Sequence, residues 1–289
     1  MQDLTIAAIQ MNAPLGQVEA NLAAHVRLAQ QAADAGAELV CFPELGLTGH
    51  WCAGEVWAAS EPVPDGPSTQ RLLALARELK VCLSFGLAER DRGLAYNTQV
   101  VVGPEGFIGK QRKLHMSADE YFHFRTGTEI AVLDIGKCRL GIGICYDNMF
   151  PEVARIAAVK GTEVYLMPHA SRCGAWPRAA KLQARRVAAL KAVWRKCYAA
   201  RAYDNGMFVV ANNQAGHAGD DPETNHAGGI LVFDPGGEVI AESQTERIAE
   251  ETVVGRLPAR QYDRRRTASC FNLQTRRPEI YGELRELTG

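Results

Sequence analysis

Three groups able to take part in covalent hydrolytic chemistry each close a separate strand-like run. Cys145 ends "RLGIGIC", Glu44 ends "AELVCFPE" and Lys113 ends "FIGKQRK". A thiolate is a strong nucleophile, a carboxylate can move a proton, and an ammonium can face developing negative charge. In open α/β sheets, sites form outside the carboxyl ends of strands, where loops converge. A thiol, a carboxylate and an amine with this placement can therefore meet in one pocket. Taken singly, each has a plainer reading: a core cysteine, a cap glutamate, and a solvated lysine in "KQRK".

The elements that must position them alternate between strand and helix. "LTIAAIQM" reads as a first strand, and Asn21 to Ala35 as an amphipathic helix ending near Gly36. After "AELVCFPE", Ser68 is the expected N-cap of a helix running through "LLALARELK". "VCLSFGLAE" and the hairpin "AYNTQVVVG-PEG-FIGKQRK" follow, then two short strands within "AVLDIGKCRLGIGIC". The spacing then predicts a helix from Pro151, the strand "TEVYLMP", a long helix, the strand "MFVVANNQ" and the hairpin "GILVFD-PGG-EVIAES". On the long helix, Leu190, Val193, Trp194 and Cys197 recur at the spacing of one buried face. From residue 258 onward the periodicity fades and the sequence reads as an irregular tail. This alternation implies α/β layers around mixed sheets, in one domain over 1–257 with a tail over 258–289. The two halves echo one another in their order of strands and helices.

Composition narrows the function classes. The chain has 289 residues, 47% of them hydrophobic and 22% charged, which is ordinary for a globular domain. A formal net charge of −1 gives no field to draw nucleic acid or an anionic membrane. The basic stretches "DRRR" and Arg178 to Arg201 read as solvated helix faces or a subunit contact. No apolar run reaches membrane-spanning length, and "MQDLTIAAIQM" lacks the layout of a signal peptide. The eight cysteines, Cys41, Cys52, Cys82, Cys138, Cys145, Cys173, Cys197 and Cys270, form no CxxC, and the histidines show no ligand spacing. The expectation is a cytoplasmic protein with reduced thiols, no structural metal and no cofactor. Neither GxSxG nor a strand-to-helix GxGxxG occurs, and "GPEGFIGK" only loosely resembles a phosphate loop.

Three blocks, in order, carry a resemblance. "FPELGLTG" around Glu44, "KQRKLHM" around Lys113 and "GIGICYDNMFPE" around Cys145 resemble the signature segments of the nitrilase superfamily, the carbon–nitrogen hydrolases. "AIQMNAPLGQVEANL", "ARAYDNGMFVVANNQAG" and "RRPEIYGEL" extend the likeness over nearly the whole chain. The resemblance implies a four-layer α-β-β-α sandwich of two mixed sheets and a homodimer or larger homo-oligomer, with the tail packing on a partner subunit. It implies Cys145 as nucleophile, Glu44 as proton shuttle and Lys113 as the cation for the oxyanion, helped by the backbone N–H of Tyr146. Glu120, in "KLHMSADEYFHF", matches a second glutamate that holds the lysine.

The expected reaction is hydrolysis of a small carboxamide through an acyl-thioester, releasing ammonia. "CYD" after the nucleophile resembles the amidase-type branches. A ureido compound or a nitrile could react at the same sulfur. His50, Trp51, His169, Arg172 and Trp176 are candidates to touch the acyl group, and Arg172 could pair with a substrate carboxylate. "PHASRCG" departs from the segment expected of an ω-amidase, which leaves the substrate open. The rivals are an isochorismatase-like cysteine hydrolase, an acyltransferase using the same thioester, and a nitrilase-fold module kept for binding.

Overall fold

The computed structural model describes residues 1–289 apart from 51–54, 173–179, 218–224, 245–248 and 287–289. In chain order its elements are β1 (Leu4–Gln10), α1 (Val18–Asp34), β2 (Leu39–Cys41), α2 (Glu55–Ala59), α3 (Pro67–Leu79), β3 (Cys82–Asp91), β4 (Leu94–Gly103) and β5 (Gly106–Arg112). The second half comprises β6 (Val132–Asp134), β7 (Arg139–Ile142), α4 (Pro151–Val159), β8 (Val164–His169), α5 (Ala180–Asn205), β9 (Phe208–Asn213), β10 (Ala215–His217) and β11 (Asn225–Ala227). It closes with β12 (Ile230–Phe233), β13 (Val239–Glu242), β14 (Glu251–Leu257), α6 (Ala259–Arg266) and α7 (Glu283–Glu286).

Two six-stranded sheets result, ordered β14-β1-β2-β3-β4-β5 and β13-β12-β9-β8-β7-β6, with β10 and β11 as a separate ribbon. Each sheet holds a parallel trio, β1-β2-β3 or β7-β8-β9, flanked by antiparallel strands. This is the internal echo that the sequence carried. Strand alternation sends successive side chains to opposite faces. Ile6 and Ala8 face the other sheet, in a core shared with Leu140, Ile142, Leu166 and Val210. Ala7 and Ile9 face α1 and α3, meeting Leu28, Ala32, Leu72 and Ala76. On the far side, Tyr165, Met167 and Val209 pack on α4 and α5 through Ala157, Trp194 and Tyr198. Helix, sheet, sheet and helix are thus the four layers expected. Among the described residues, no helix is long and apolar enough to cross a membrane.

Several local expectations change. The N-cap of α3 is Gly66, with Pro67 opening the helix, so Ser68 lies inside it. The free N–H groups of that first turn are met by a distant carboxylate. Glu61 accepts from the Ser68 N–H at 3.1 Å and the Thr69 N–H at 3.0 Å. On α5 the buried face runs through Val187, Lys191, Trp194, Tyr198 and Ala202, while Val193 is 50% exposed. Lys191 is hidden because its ammonium bonds Ser243 O and pairs with Glu242 at 3.5 Å. β14 pairs with β1 along its full length, from Leu257 opposite Leu4 to Glu251 opposite Gln10. It is an edge strand interrupted by Arg256, so its pattern is faint in the sequence. The tail is helical over α6, which tucks Tyr262 into the core between the sheets, and Phe271 beyond it is buried. The arginines between them mask that periodicity.

Candidate active site

Glu44, Lys113 and Cys145 all emerge just past the ends of strands β2, β5 and β7. The first two come from one sheet and the third from the other. Lys113 is completely buried and its ammonium sits between two carboxylates. It donates to Glu44 Oε1 at 2.8 Å, to Glu120 Oε1 at 2.8 Å and to Glu120 Oε2 at 2.8 Å. Asn97 Nδ2 ties the same two acids, at 2.7 Å to Glu44 Oε1 and 3.4 Å to Glu120 Oε1. The second Glu44 oxygen accepts the Ala170 N–H at 2.7 Å, beyond the end of β8 in the other sheet. Ser117 caps Glu120 Oε2 through its N–H at 2.9 Å and its hydroxyl at 2.7 Å.

Burial opposes ionisation of both acids, but opposite charge outweighs it. Glu44 is held below the usual carboxylate range chiefly by the Lys113 ammonium. Glu120 is held below that range as well, by its bond to His50 and by Lys113. Lys113 is pushed up by Glu44, Cys145 and Glu120, although its burial works the other way. The Cys145 thiol is raised by burial and by Glu44, with Lys113 and the Ala170 N–H opposing. The resting site is therefore a neutral thiol, a cation and two carboxylates.

Backbone geometry marks the same place. Among the described residues, five non-glycine residues adopt positive φ: Leu45, Lys80, Arg92, Ala118 and Cys145. Three of them bear on this site. Leu45 follows Glu44, Ala118 opens the short 3-10 turn that carries Glu120, and Cys145 is itself at φ +48°. Such conformations cost about 1–3 kcal/mol each and persist where the surroundings impose them. At Cys145 the imposition is visible. The residue starts a 3-10 turn, Cys145–Met149, immediately after the strand end. Gly143 just before it lies so close to Tyr165 and Asn148 that a Cβ there would stand 2.1 Å from the Tyr165 hydroxyl oxygen. At the start of such a turn the first N–H groups, that of Tyr146 included, have no partner within the turn. The Tyr146 ring is exposed, edge-on to Phe150.

Asp147 fastens the cysteine turn to the lysine loop. Its carboxylate accepts the Ile144 N–H at 3.0 Å, the His115 N–H at 2.8 Å and the Leu114 N–H at 3.1 Å. This gives the aspartate of "CYD" a structural task, whatever the substrate. Gly86 performs a similar service for Glu44, since a Cβ there would stand 2.3 Å from the Leu45 nitrogen.

The other expected residues separate. His50 is buried, with Nε2 3.5 Å from Glu120 Oε1, so it belongs to the cluster. His169 is also buried; it reaches Ser171 and packs on Trp194 and Tyr198. Arg172 is exposed and its backbone bridges to His226. Trp51 and Trp176 lie outside the described residues. His226 was not anticipated. It is buried, edge-on to His50 at 6.0 Å between centroids, and burial pushes its pKa down to about 3. Asn97 and Asp147 were also missed. Asn97 could have been flagged as an amide within an apolar strand.

Oxygen and nitrogen atoms of Glu44, His50 and Glu120 lie close enough together to ligate a metal ion. Lys113 already supplies the positive charge there, bonded to both acids. The donor set fits a fixed ammonium better than a divalent cation.

Comparison with known proteins shows the family and the fold. The family model for "Carbon-nitrogen hydrolase" matches residues 5–265. A nitrilase of Pyrococcus abyssi is 34% identical over 245 residues, spanning 83% of this chain and 86% of that protein. A human omega-amidase is 32% identical over 235 residues, spanning 75% of this chain and 76% of that protein. The crystal structure of a carbon–nitrogen hydrolase from Helicobacter pylori superposes with a TM-score of 0.83, covering 98% of both chains at 23% identity, a likeness of fold. Family model, relatives and architecture coincide: this chain belongs to the carbon–nitrogen hydrolases of the nitrilase superfamily and is a hydrolase of carbon–nitrogen bonds other than peptide bonds.

Proposed function

We propose that the protein hydrolyses a small carboxamide through an acyl-thioester on Cys145, releasing ammonia and then a carboxylic acid. The observation that carries this reading is the single buried ammonium of Lys113 shared by Glu44 and Glu120, electrostatically coupled to a cysteine on a positive-φ turn. As the sulfur attacks, its proton passes to Glu44, and negative charge moves onto the carbonyl oxygen. Lys113 and the Tyr146 N–H are the donors for that oxygen. The raised thiol and lowered acid make proton transfer unfavourable in the resting site, so it accompanies attack instead of preceding it. Glu44 then returns the proton to the leaving nitrogen and activates the water that cleaves the thioester. Glu120 keeps Lys113 aligned and faces the substrate nitrogen.

The 34% identity to a nitrilase keeps a nitrile as a second reading, since it would form a thioimidate at the same sulfur. A ureido compound would load a carbamoyl group there. The test is a panel of amides, ureido acids and nitriles, read by ammonia release and by intact mass. An acyl adduct that accumulates with amides and maps to Cys145 is the expected result. Cys145→Ala should lower turnover by roughly 10⁴-fold or more while leaving the fold intact. Ammonia release surviving in that variant would falsify the mechanism.

A further inference from the structure

Beside Cys145 stand two side chains that the mechanism above leaves unused. Ser171 follows the end of β8, whose last residue is His169. Its Oγ is 3.9 Å from Cys145 Sγ and 3.3 Å from His169 Nδ1. Ser171 is fixed from behind, because its N–H donates to Asn213 Oδ1 at 2.8 Å. Asn213 in turn donates to Gly228 O at 3.0 Å. The His169 ring is stacked on Tyr198 at 5.5 Å and tilted against Trp194 at 4.7 Å. Among the described residues its buried Nε2 has no hydrogen-bond partner.

That orphaned nitrogen sets the direction of the chain of bonds. Burial pushes the His169 pKa down to about 3, so the ring is neutral and carries one proton. A proton on Nε2 would be a buried donor with no acceptor, the rarer and costlier kind of unsatisfied group. A proton on Nδ1 leaves only a lone pair unused and donates to Ser171 Oγ. The serine hydroxyl must then donate elsewhere. Among the described residues, the other partner of Ser171 Oγ is the Cys145 sulfur.

We propose that Ser171, oriented by His169, donates a hydrogen bond to the Cys145 sulfur as negative charge develops on it. The inference rests on Cys145 being the nucleophile and is independent of the substrate. No proton changes hands between serine and cysteine: the thiol proton goes to Glu44 and the hydroxyl keeps its own. The charged groups facing the sulfur are Glu44 and Glu120, which oppose a thiolate, and Lys113, which favours it together with the Ala170 N–H. Lys113 is already divided between two carboxylates, so a neutral donor adds stabilisation without disturbing that balance. The 3.9 Å separation is long, as such contacts are before charge forms.

The test is alkylation of Cys145 in the full-length protein by iodoacetamide, quantified by peptide mass spectrometry between about pH 6 and about pH 10. Ser171→Ala should slow alkylation at neutral pH about tenfold and move the profile up by about one pH unit. Ser171→Thr, which keeps the hydroxyl, should stay within about threefold of the natural protein. His169→Leu should give an intermediate loss, and His169→Asn, whose amide can donate from the Nδ1 position, should recover most of it. Thermal midpoints confirm that each variant is folded. An unchanged profile in Ser171→Ala overturns the proposal. So does lost amide turnover with unchanged alkylation, because Ser171 would then serve the substrate instead of the sulfur. If the natural protein hydrolyses nothing in the panel but the alkylation shifts appear, the carboxamide reading fails and this one stands.

Discussion

Two buried ion clusters lie a few residues apart on the same strand end, and they do different work. Lys110 and Arg112 converge on Glu89, while the next residue, Lys113, turns to Glu44 and Glu120. In the first cluster one buried carboxylate meets two cations that keep 29% and 23% of their side chains in solvent, with Asp91 joining at the rim. Thr98 and Arg112 fill the second Glu89 oxygen, so charge and hydrogen bonds are both satisfied. In the second cluster one fully buried cation serves two fully or nearly fully buried acids, and a negative charge is left over beside a thiol. The first is a brace for β3, β4 and β5. The second keeps an uncompensated negative charge inside the protein, next to the cysteine.

Substitution of neighbours should expose this difference most strongly. Lys113→Met strips the cation from two buried acids. It should cost about 3–5 kcal/mol of stability and reduce ammonia release by roughly a thousandfold or more. Arg112→Met leaves Lys110 on Glu89, costs about 1–2 kcal/mol and keeps turnover within about threefold. Similar activity losses in the two variants would erase the distinction. The acids give a smaller contrast. Glu120→Gln should lower kcat about a hundredfold with a modest loss of stability, while Glu89→Gln should spare kcat and lower the urea midpoint. Steady-state kinetics beside urea unfolding separates these outcomes.

The smallest effect comes from groups outside both clusters. His25, His169 and His226 are buried and neutral, with burial lowering their pKa values to about 4, 3 and 3. A depressed folded-state pKa means the unfolded chain binds more protons below the ordinary histidine value. The stability these rings contribute is complete above about pH 6.5 and drains away as pH falls towards their folded values. Between pH 7 and pH 6 that amounts to about 0.7 kcal/mol per ring, before Glu44 or Glu120 titrates. A urea midpoint that stays flat across this interval would show the rings are already hydrated.

The alternation of strands and helices and the placing of Glu44, Lys113 and Cys145 at strand ends were legible in the sequence for a physical reason, whereas Glu120 and the four layers came from the family resemblance. Strand ends and apolar alternation are local signals, and Glu44, Lys113 and Cys145 are anchored to strands. What escaped depends on partners far along the chain. Asn97, Asp147 and Ser171 acquire their tasks only when loops from both sheets meet, and none sits in a periodic pattern. Glu61 likewise caps α3 from outside it, so Ser68 looked like the cap. Lys191 looked solvated for want of a visible partner in Glu242. In "KQRK" the plain reading of Lys113 as solvated failed because its acids, Glu44 and Glu120, lie elsewhere along the chain.

Cys145 belongs to one sheet, whereas Glu44 and Lys113 belong to the other; the Ala170 N–H reaches across to Glu44, and Asp147 to the backbone of Leu114 and His115 beside Lys113. Neither half of the polypeptide holds the whole set: the first carries Glu44, Lys113 and Glu120, the second Cys145. The site is therefore assembled only where the two sheets close on each other. Local unfolding of either sheet's strand ends parts Cys145 from Glu44 and Lys113.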